Sequence, residues 1–388
     1  SAQKCVLFML ENWKKCLGDK GSAGVLLTDL SKAFDCLTHD LLIAKLNAYG
    51  FDYNSIKLLY NYLTGRFQRV RINSNFSLWI KNLFGVPQGS ILGPLLFNIY
   101  LNDLFLFYEK SNIVNYADDN SPFSCNEDID SVISKLTNDS KTLLEWFCNN
   151  SLKANPDKFH LILSNSDDDK LIKIQQFEIY NSNCEKLLGI KIDNKLSFED
   201  HVTDLCTKAS QKLHALSRIA TFMNVQQRKT IMNAFINSQF AYCPLMWMMH
   251  SRKINTRINR LDERAKRVVF NVMVSSFEEL LLRNNSVSIH IRNIQLLAIE
   301  LYKVWYGLSP KIMEFVFPLD PGKNSFLSRN IRTVNQGKET LAYLGPKIWS
   351  LIPEDWKHFS LSKFSKKIRI WRTNECPCRI CKLYIQGV

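Results

Sequence analysis

The sequence of 388 residues predicts an α+β protein whose first half mixes strands with helices and whose second half is mainly helical. Two observations support this division. Short apolar runs, such as 23–28 and 113–117, are bounded by polar turn residues and indicate strands. From residue 199 to residue 270 the apolar residues recur at helical spacing instead, with breaks near Asn224 and Pro244.

The elements of the first half follow from the same patterns, and the chain opens in what looks like the middle of a helix. Gly50 and Gly65 end two of the helices. The best linker candidate is 319–336, and 167–169 indicates a surface loop. The predicted elements are strand 23–28, helices 40–49 and 53–63, a hairpin of 67–72 with 76–84, turn 85–90, helix 92–107, a hairpin of 113–117 with 121–125, helix 128–149, and strands 159–163 and 186–192.

Composition limits the class of protein. Hydrophobic residues make up 46% of the chain, which is enough for large cores. No apolar run is long enough to span a membrane, so no membrane partner is expected, and the N-terminus does not have the pattern of a secretory signal. Eleven cysteines, an odd number, suggest free thiols in a reducing intracellular compartment, either nucleus or cytoplasm.

The net charge of +14 is unevenly distributed. Between His201 and Glu300, 14 Lys and Arg residues stand against 6 Asp and Glu residues, and after residue 355 the ratio is 8 to 1. The remainder of the chain is nearly neutral. This distribution is typical of a catalytic domain followed by nucleic-acid-binding modules, although solvated lysines alone would also produce it.

Three aspartates occupy positions where a carboxylate needs a cation. Asp29 ends an apolar strand, and Asp118 and Asp119 lie with Asn120 at the predicted tip of a hairpin. Adjacent carboxylates repel each other unless a divalent ion neutralises them, and hard oxygen ligands suit Mg²⁺. Two such ions can activate a 3′-hydroxyl and stabilise a leaving pyrophosphate. Taken alone, an Asp-Asp pair is more often a solvated turn.

Five segments in order add specificity. Leu27 to Asp35 (LTDLSKAFD) resembles motif A of reverse transcriptases, and the tetrapeptide 116–119 (YADD) resembles motif C. The segment 85–97 (GVPQGSILGPLLF) resembles motif B of the LINE class. Residues 155–158 (NPDK) resemble motif D, and 187–190 (LLGI) resemble the primer grip. The chain is thus similar throughout to reverse transcriptases of LINE-type, jockey-like non-LTR retrotransposons, with a thumb resemblance at 233–252.

The resemblance implies a role for each matching residue. Asp29, Asp118 and Asp119 would hold two Mg²⁺ ions, with Mn²⁺ as a possible substitute, and Lys158 would protonate the leaving pyrophosphate. Phe34 would exclude a ribose 2′-hydroxyl, although core packing would also explain this residue. Asp35 is expected to be structural. The other substrate-binding and primer-grip candidates are Gln88, Gly89, Tyr116, Leu188 and Gly189.

The implied fold is a polymerase palm, with a ferredoxin-like antiparallel sheet and flanking helices, followed by a helical thumb. We expect the palm with a remnant of the fingers at 1–198, the thumb at 199–318 and a basic appendage at 319–388. A complete member would carry an endonuclease and further fingers motifs before residue 1, so we expect a truncated fragment. Asn120 stands where the family more often has Thr.

The implied activity is RNA-directed DNA polymerisation. Its partners would be an RNA template, a DNA primer, the RNA–DNA duplex and dNTP. Two alternatives remain: a catalytically silent nucleic-acid-binding remnant of such an element, and a reverse transcriptase like those of group II intron maturases. The amino-acid sequences of 31–35 and 93–98 favour the LINE class over the maturases.

Basic residues on the thumb helices are expected to contact the phosphates of a duplex without reading its sequence. The C-terminal cluster Cys376, Cys378 and Cys381 supplies three thiols, whereas a structural Zn²⁺ site needs four ligands. Zn²⁺ is therefore the less favoured alternative to free thiols there. The candidate phosphate contacts are Lys208, Lys212, Arg218, Arg228, Lys229, Arg252 and Lys253.

Overall fold

The computed structural model describes residues 1–107, 111–164, 166, 170–249, 251–320, 322–323, 325–328 and 340–372. These residues form two compact units, which are described separately. One is Ser22–Asn183, and the other combines Ser1–Gly21 with the described residues from Cys184 onward. The α+β class is confirmed, because one unit is built around an antiparallel sheet and the other is mainly helical. The three domain boundaries given by the resemblance remain predictions.

The bounds of the helices and strands agree with most of the sequence expectations. The helices are α1 (Ala2–Gly18), α2 (His39–Ala48), α3 (Tyr53–Leu63), α4 (Leu92–Leu101), α5 (Ile129–Asn149), α6 (Glu199–Ile219), α7 (Val225–Ile231), α8 (Pro244–Trp247), α9 (Arg252–Phe270), α10 (Phe277–Arg283), α11 (Ile289–Trp305), α12 (Ile312–Val316), α13 (Leu341–Leu351), α14 (Glu354–Lys357) and α15 (Leu361–Ile370). The strands are β1 (Ser22–Leu27), β2 (Phe67–Gln68), β3 (Arg71–Ile72), β4 (Asn75–Phe76), β5 (Ile80–Lys81), β6 (Asn112–Tyr116), β7 (Asp119–Asn126), β8 (His160–Leu163), β9 (Leu171–Ile174), β10 (Phe177–Tyr180), β11 (Cys184–Leu187), β12 (Ile190–Asp193), β13 (Leu319–Asp320) and β14 (Ser325–Phe326).

A four-stranded antiparallel sheet forms the centre of the unit Ser22–Asn183. Its strand order is β6-β7-β1-β8, so β1 is an inner strand that pairs with β7 on one side and with β8 on the other. Helices separate β1 from β6, and α5 separates β7 from β8. This order and these connections are those of a ferredoxin-like sheet, as the resemblance implied.

Two apolar clusters hold the helices of this unit against the sheet. α5 presents Val132, Leu136 and Leu143, spaced along one face of the helix, and all three are fully buried. The first two pack in a cluster with Leu161 of β8, while Leu143 packs with residues of α2 and α4. Burial of each such side chain stabilises the fold by about 1.5–3 kcal/mol. The sheet is therefore fixed to α5 on one face.

Two strand predictions need correction, and one hairpin was missed. The hairpin at 67–84 is not one continuous ladder, because β2 pairs with β5 and β3 with β4 as two separate short ladders. The segment 186–192 is not one strand but a hairpin of β11 and β12. A further hairpin, β9 with β10, was not predicted. Alternation of apolar residues shows that a segment is extended but not where it reverses, and the reversal at 188–189 lies within an apolar run.

Helices α1, α6, α9 and α11 form much of the other unit. α1 is anchored at two points by acidic groups. Lys4 forms an ion pair with Glu300 of α11 at 2.8 Å. The buried carboxylate of Glu11 accepts hydrogen bonds from the backbone N–H groups of Leu341 and Ala342, at the first turn of α13. A carboxylate is favoured there because the first N–H groups of a helix have no partner within the helix.

None of the helices in the described part of the chain is both long enough and apolar enough to cross a membrane. Three sequence predictions cannot be placed in full. The surface loop 167–169 and the cluster Cys376, Cys378 and Cys381 lie outside the described residues, as does most of the linker candidate 319–336.

The stability of the helical unit should depend on His201, which is buried at the start of α6. Burial lowers the pKa of its imidazole from 6.5 to about 4. The folded chain therefore binds fewer protons than the unfolded chain between these values, so stability is fully present above pH 6.5. It is lost as the pH falls towards 4, by up to about 3 kcal/mol. Urea unfolding of wild type and His201→Gln across this range measures the difference. The control is His214→Gln, an exposed histidine on the same helix; equal pH dependence of wild type and His201→Gln would contradict the assignment.

Candidate active site

The end of β1 places Asp29 beside the hairpin that carries Asp118 and Asp119. The backbone N–H of Thr28 donates to the carbonyl oxygen of Asn120 at 3.1 Å, and the Thr28 hydroxyl donates to the same oxygen at 2.7 Å. Thr28 is buried and precedes Asp29 directly. The antiparallel pairing of β1 with β7 thus brings together carboxylates that are far apart in the sequence.

The hairpin turn is tighter than the sequence predicted. Tyr116 pairs directly with Asp119, so Ala117 and Asp118 form the turn, and Asp119 and Asn120 belong to β7. Ala117 has a φ of 56°, a conformation that costs a residue with a Cβ atom roughly 1–2 kcal/mol. The fully buried amide of Asn120 donates to the carbonyl oxygen of Asp118 at 3.1 Å and accepts from Asn115 at 2.8 Å. Asn120 therefore holds the turn in place.

The loop that resembles motif D lies on the opposite side of Asp29. The backbone N–H of Asn155 donates to the carbonyl oxygen of Asp29 at 3.0 Å. The short 3-10 helix Pro156–Lys158 follows, and the Lys158 ammonium lies 3.1 Å from the Asp29 carboxylate. The Lys158 side chain is 61% exposed, so water screens this ion pair and it adds little stability. Its role at the leaving pyrophosphate remains a prediction.

The charges of Asp118 and Asp29 act on the carboxyl of Asp119. Burial raises the pKa of the half-buried Asp119 carboxyl, and the negative charges of Asp118 and Asp29 raise it further. Among the described residues, no three or more His, Cys, Asp or Glu side chains lie in an arrangement that could hold a metal ion as the structure stands. Concentrated negative charge with hard oxygen atoms is nevertheless chemistry that fits a divalent cation.

Phe34 lies on the 3-10 helix Ala33–Asp35, close after Asp29 in the sequence. Its half-buried ring stacks on Phe97 of α4, with ring centroids 4.3 Å apart. The ring is thus held by the apolar core on one face, as the core-packing explanation expected. Its role at the sugar position remains a prediction.

Backbone hydrogen bonds join the segment of Phe34 to the motif B turn. The N–H of Gly85 donates to the carbonyl oxygen of Leu37 at 2.8 Å, and the N–H of Val86 donates to that of Phe34 at 3.0 Å. The buried His39 ring bonds the Gly85 carbonyl oxygen at 2.8 Å. Gly85 is required for this approach, because an added Cβ atom would lie 2.8 Å from the Cα atom of Asp35.

Gln88 and Gly89 are exposed on the motif B turn. The Gln88 amide donates to the carboxylate of Asp35 at 2.9 Å, which orients the Gln88 side chain towards motif A. Sequence reasoning missed this function of Asp35, since the two residues are distant in the chain. Tyr116, the remaining candidate beside the aspartates, is 42% exposed at the end of β6.

The two primer-grip candidates belong to the other unit. Leu188 and Gly189 form the turn between β11 and β12 with φ angles of 46° and 84°. The Tyr242 hydroxyl donates to the carbonyl oxygen of Leu188 at 2.7 Å and fixes the turn within that unit. The structure thus defines the shape of this turn, and its contact with a primer remains a prediction.

The candidate phosphate-binding residues of the thumb are not equivalent. Arg228 donates to the carbonyl oxygens of Met223, Val268 and Val269, so its guanidinium joins α7 to the end of α9. The Lys229 ammonium lies 5.0 Å from the centre of the Phe270 ring. Both residues therefore have a structural role. The exposed candidates are Lys208, Arg218, Arg252 and Lys253, and Lys212 is half-buried.

Comparison with known proteins supplies further information. Residues 6–192 match the family described as reverse transcriptase (RNA-dependent DNA polymerase). The probable RNA-directed DNA polymerase from transposon BS of Drosophila melanogaster is 28% identical over 65% of this chain and 29% of its own length. Its counterpart from transposon X-element of the same species is 27% identical over 63% of this chain and 28% of its own length. The chain thus spans less than a third of the length of these relatives.

The RNA-directed DNA polymerase from the mobile element jockey of Drosophila melanogaster is 25% identical over 46% of this chain and 20% of its own length. Among solved structures, apo telomerase from Candida tropicalis aligns with a TM-score of 0.40 and 12% identity, covering 71% of this chain and 46% of its own. Its complex with a TWJ fragment of telomeric RNA aligns with a TM-score of 0.39 and 14% identity, covering 75% and 49%. These scores are too low to compare the folds further.

Gly85→Ala should destabilise the unit that carries the aspartates by about 2–4 kcal/mol. The new Cβ atom would meet the Asp35 backbone, and the φ of 80° already disfavours alanine. The matched control is Gly89→Ala, whose φ of 79° is nearly the same but whose Cβ atom would have no neighbour within 4 Å. That change should cost only about 1 kcal/mol. Urea unfolding of the two variants measures the difference, and equal losses would show that the close approach at Gly85 is unimportant.

Proposed function

We propose that the chain is the polymerising part of an RNA-directed DNA polymerase, because residues 6–192 match the reverse transcriptase family and resemble the polymerases of LINE-type non-LTR retrotransposons. One observation carries the proposal. Hydrogen bonds from Thr28 to Asn120 bring Asp29 next to Asp118 and Asp119, where the charges of Asp29 and Asp118 act on the Asp119 carboxyl. The relatives named as RNA-directed DNA polymerases support the same activity.

Reverse transcriptases use divalent metal ions. We propose two Mg²⁺ ions here, with Mn²⁺ as a substitute, held by Asp29, Asp118 and Asp119. The raised pKa of the half-buried Asp119 carboxyl supports this, because burial and the negative charges of Asp118 and Asp29 make an unneutralised charge unfavourable there. When bound, such ions supply charge stabilisation to the phosphoryl group and its leaving pyrophosphate.

The remaining proposed roles belong to the protein itself. Lys158 would donate a proton to the leaving pyrophosphate, supported by its ammonium 3.1 Å from Asp29. Gln88 and Gly89 would contact the incoming dNTP or the template, with Asp35 orienting Gln88. Phe34 would block a ribose 2′-hydroxyl, because its ring is fixed by Phe97 and cannot readily swing away. Tyr116 would line the same site, and Leu188 and Gly189 would support the primer end.

The proposed partners are an RNA template, a DNA primer and the RNA–DNA duplex that they form. The exposed thumb cations support phosphate binding of this kind. We also propose a reducing intracellular location, in the nucleus or the cytoplasm. Its support is that, in the described part of the chain, Cys36, Cys148, Cys206 and Cys243 are free thiols. Zn²⁺ at Cys376, Cys378 and Cys381 remains the less favoured alternative to free thiols.

Asp118→Asn should abolish primer extension while leaving nucleic-acid binding intact. The substitution keeps the size of the side chain but removes a negative charge that would stabilise the transition state through a bound metal ion. Binding of an RNA–DNA duplex at low salt should survive, since the basic thumb would provide most of it. The assays are extension rate and duplex affinity, measured side by side on the wild type and Asp118→Asn.

Asp40→Asn is the matched control, since it removes the same charge from an exposed carboxylate in the first turn of α2. It should leave both the extension rate and the duplex affinity unchanged. Extension retained by Asp118→Asn would remove Asp118 from the catalytic centre. A wild-type protein that binds duplex but extends no primer would favour the silent remnant over the polymerase.

Phe34→Ala should raise ribonucleotide incorporation relative to deoxynucleotide incorporation, by about tenfold or more, because the space for a 2′-hydroxyl opens. Steady-state incorporation of rNTP and dNTP on the same primer measures the ratio. Phe97→Leu is the control, since it disturbs the stacked pair without opening the sugar position. An unchanged ratio in Phe34→Ala, or an equal change in Phe97→Leu, would leave Phe34 as a core residue only.

A further inference from the structure

Helices α6 and α9 pack side by side and leave an open groove of about 1410 Å³ between them. Its wall on α9 is a row of cations, here called the basic rail, that consists of Lys253, Arg257, Arg260 and Arg264. The spacing of these residues places all four on one face of the helix, beside the buried apolar face. At 1.5 Å per residue the basic rail is about 17 Å long.

The opposite wall repeats the same spacing with uncharged groups. Thr203, Thr207, Ser210 and His214 of α6, here called the polar rail, line the groove. Their hydroxyl and imidazole groups can donate and accept hydrogen bonds. One hydrogen bond joins the two rails, because the Arg257 guanidinium donates to the Thr203 hydroxyl at 3.0 Å. The groove is thus walled by cations on one side and by hydrogen-bonding groups on the other.

The acidic residues of α9 do not neutralise the basic rail. Asp262 pairs with Lys266, and Glu263 pairs with Arg267 at 2.6 Å, so both carboxylates are taken by cations outside the groove. The structure gives Lys253, Arg260 and Arg264 no carboxylate partner among the residues that it describes.

The only carboxylates that line the groove, within the described residues, are Glu199 and Asp200 in the first turn of α6. The four cations of the basic rail repel one another, since like charges one helical turn apart destabilise a helix by about 0.2–0.5 kcal/mol per pair. An anion that runs along the groove would relieve this repulsion.

We infer that the groove between α6 and α9 binds the sugar–phosphate backbone of one nucleic-acid strand. Packed helices lie about 8–10 Å apart, and a groove between them is narrower than a duplex. A row of arginines suits phosphates, since the planar guanidinium can bind phosphate oxygens through two N–H groups. Phe, Tyr and Trp are not among the residues that line the groove, so bases have no large ring to stack on there and we expect binding to be independent of sequence.

This inference deepens the proposed function, on which it rests, by naming a single strand rather than a duplex as the ligand of this part of the thumb. Single-stranded RNA and DNA share the phosphate chemistry that the basic rail recognises. The polar rail can also bond a ribose 2′-hydroxyl, so RNA should bind at least as tightly as DNA.

Fluorescence anisotropy with the full chain tests the inference. Its probes are a single-stranded RNA, a DNA of the same sequence and the RNA–DNA duplex. Arg260→Gln combined with Arg264→Gln should weaken binding of both single strands about tenfold at low salt. It should also reduce the slope of log affinity against log salt by about 1.4, which corresponds to two phosphate contacts at about 0.7 each. Affinity for the duplex should change much less.

The matched control is Lys366→Gln with Arg369→Gln, which removes two positive charges from exposed positions on α15. It should leave strand affinity within about twofold of wild type. Ser210→Asp is a second groove variant, which adds a negative charge to the polar rail and should weaken strand binding while α9 is untouched. If the double arginine variant fails to fold, the Ser210→Asp variant still shows whether the groove binds a single strand.

Wild-type affinity in a folded groove variant would overturn the inference, and so would equal losses for strand and duplex. If the α15 control loses as much strand affinity as the groove variant, the effect comes from the overall charge of the protein and not from the groove. Primer extension by the same proteins is a separate reading. If strand binding depends on the groove but no primer is extended, the proposed polymerase activity is contradicted and the binding site is not.

Discussion

The pairing of β1 with β7 is the interaction on which the candidate site depends. Both hydrogen bonds of Thr28 end on the carbonyl oxygen of Asn120, so the backbone just before Asp29 is fixed to the strand that follows Asp118. On the other side, Asn155 donates to the carbonyl oxygen of Asp29 and brings Lys158 close. A carboxylate at the end of an inner strand is therefore held between two neighbouring segments.

This arrangement collects negative charge, which would be unfavourable without a function. Burial and two neighbouring carboxylates raise the pKa of the Asp119 carboxyl, whereas Lys158 is exposed and offsets the charge weakly. The φ of 56° at Ala117 adds local strain in the same turn. Strain and like charges gathered in one turn are the mark of a site that is organised for a ligand. In the other unit, the basic rail of α9 concentrates the opposite charge.

Much of the fold and the site follows from the sequence, because short motifs carry local information. The apolar runs predicted that Asp29 ends a strand and that Asp118 lies at the tip of a hairpin, and the resemblance implied the ferredoxin-like sheet. The contact of Gln88 with Asp35 was not predictable, because it joins residues that only the folded chain brings together. Asn120 was noted only as a departure from the family, yet its buried amide fixes the turn.

Charged residues on helices were predicted least well. Sequence placed Arg228 among the nucleic-acid contacts, but its donors bind backbone carbonyl oxygens. It also overlooked Arg257, Arg260 and Arg264, because their importance depends on which helix packs beside α9. Helical spacing shows which residues share a face, and only tertiary packing shows what that face meets.

The central claim is that Asp29 and Asp118 act as one metal-binding centre. Titration of the chain with Mn²⁺, followed by electron paramagnetic resonance, tests it without any catalytic turnover. Asp29→Asn and Asp118→Asn should each weaken Mn²⁺ binding about tenfold or more. The double variant should bind no more weakly than the weaker single variant, because residues that share one ligand are not additive. Unchanged Mn²⁺ affinity in either single variant, or losses that simply add, would show that the two aspartates do not form one centre.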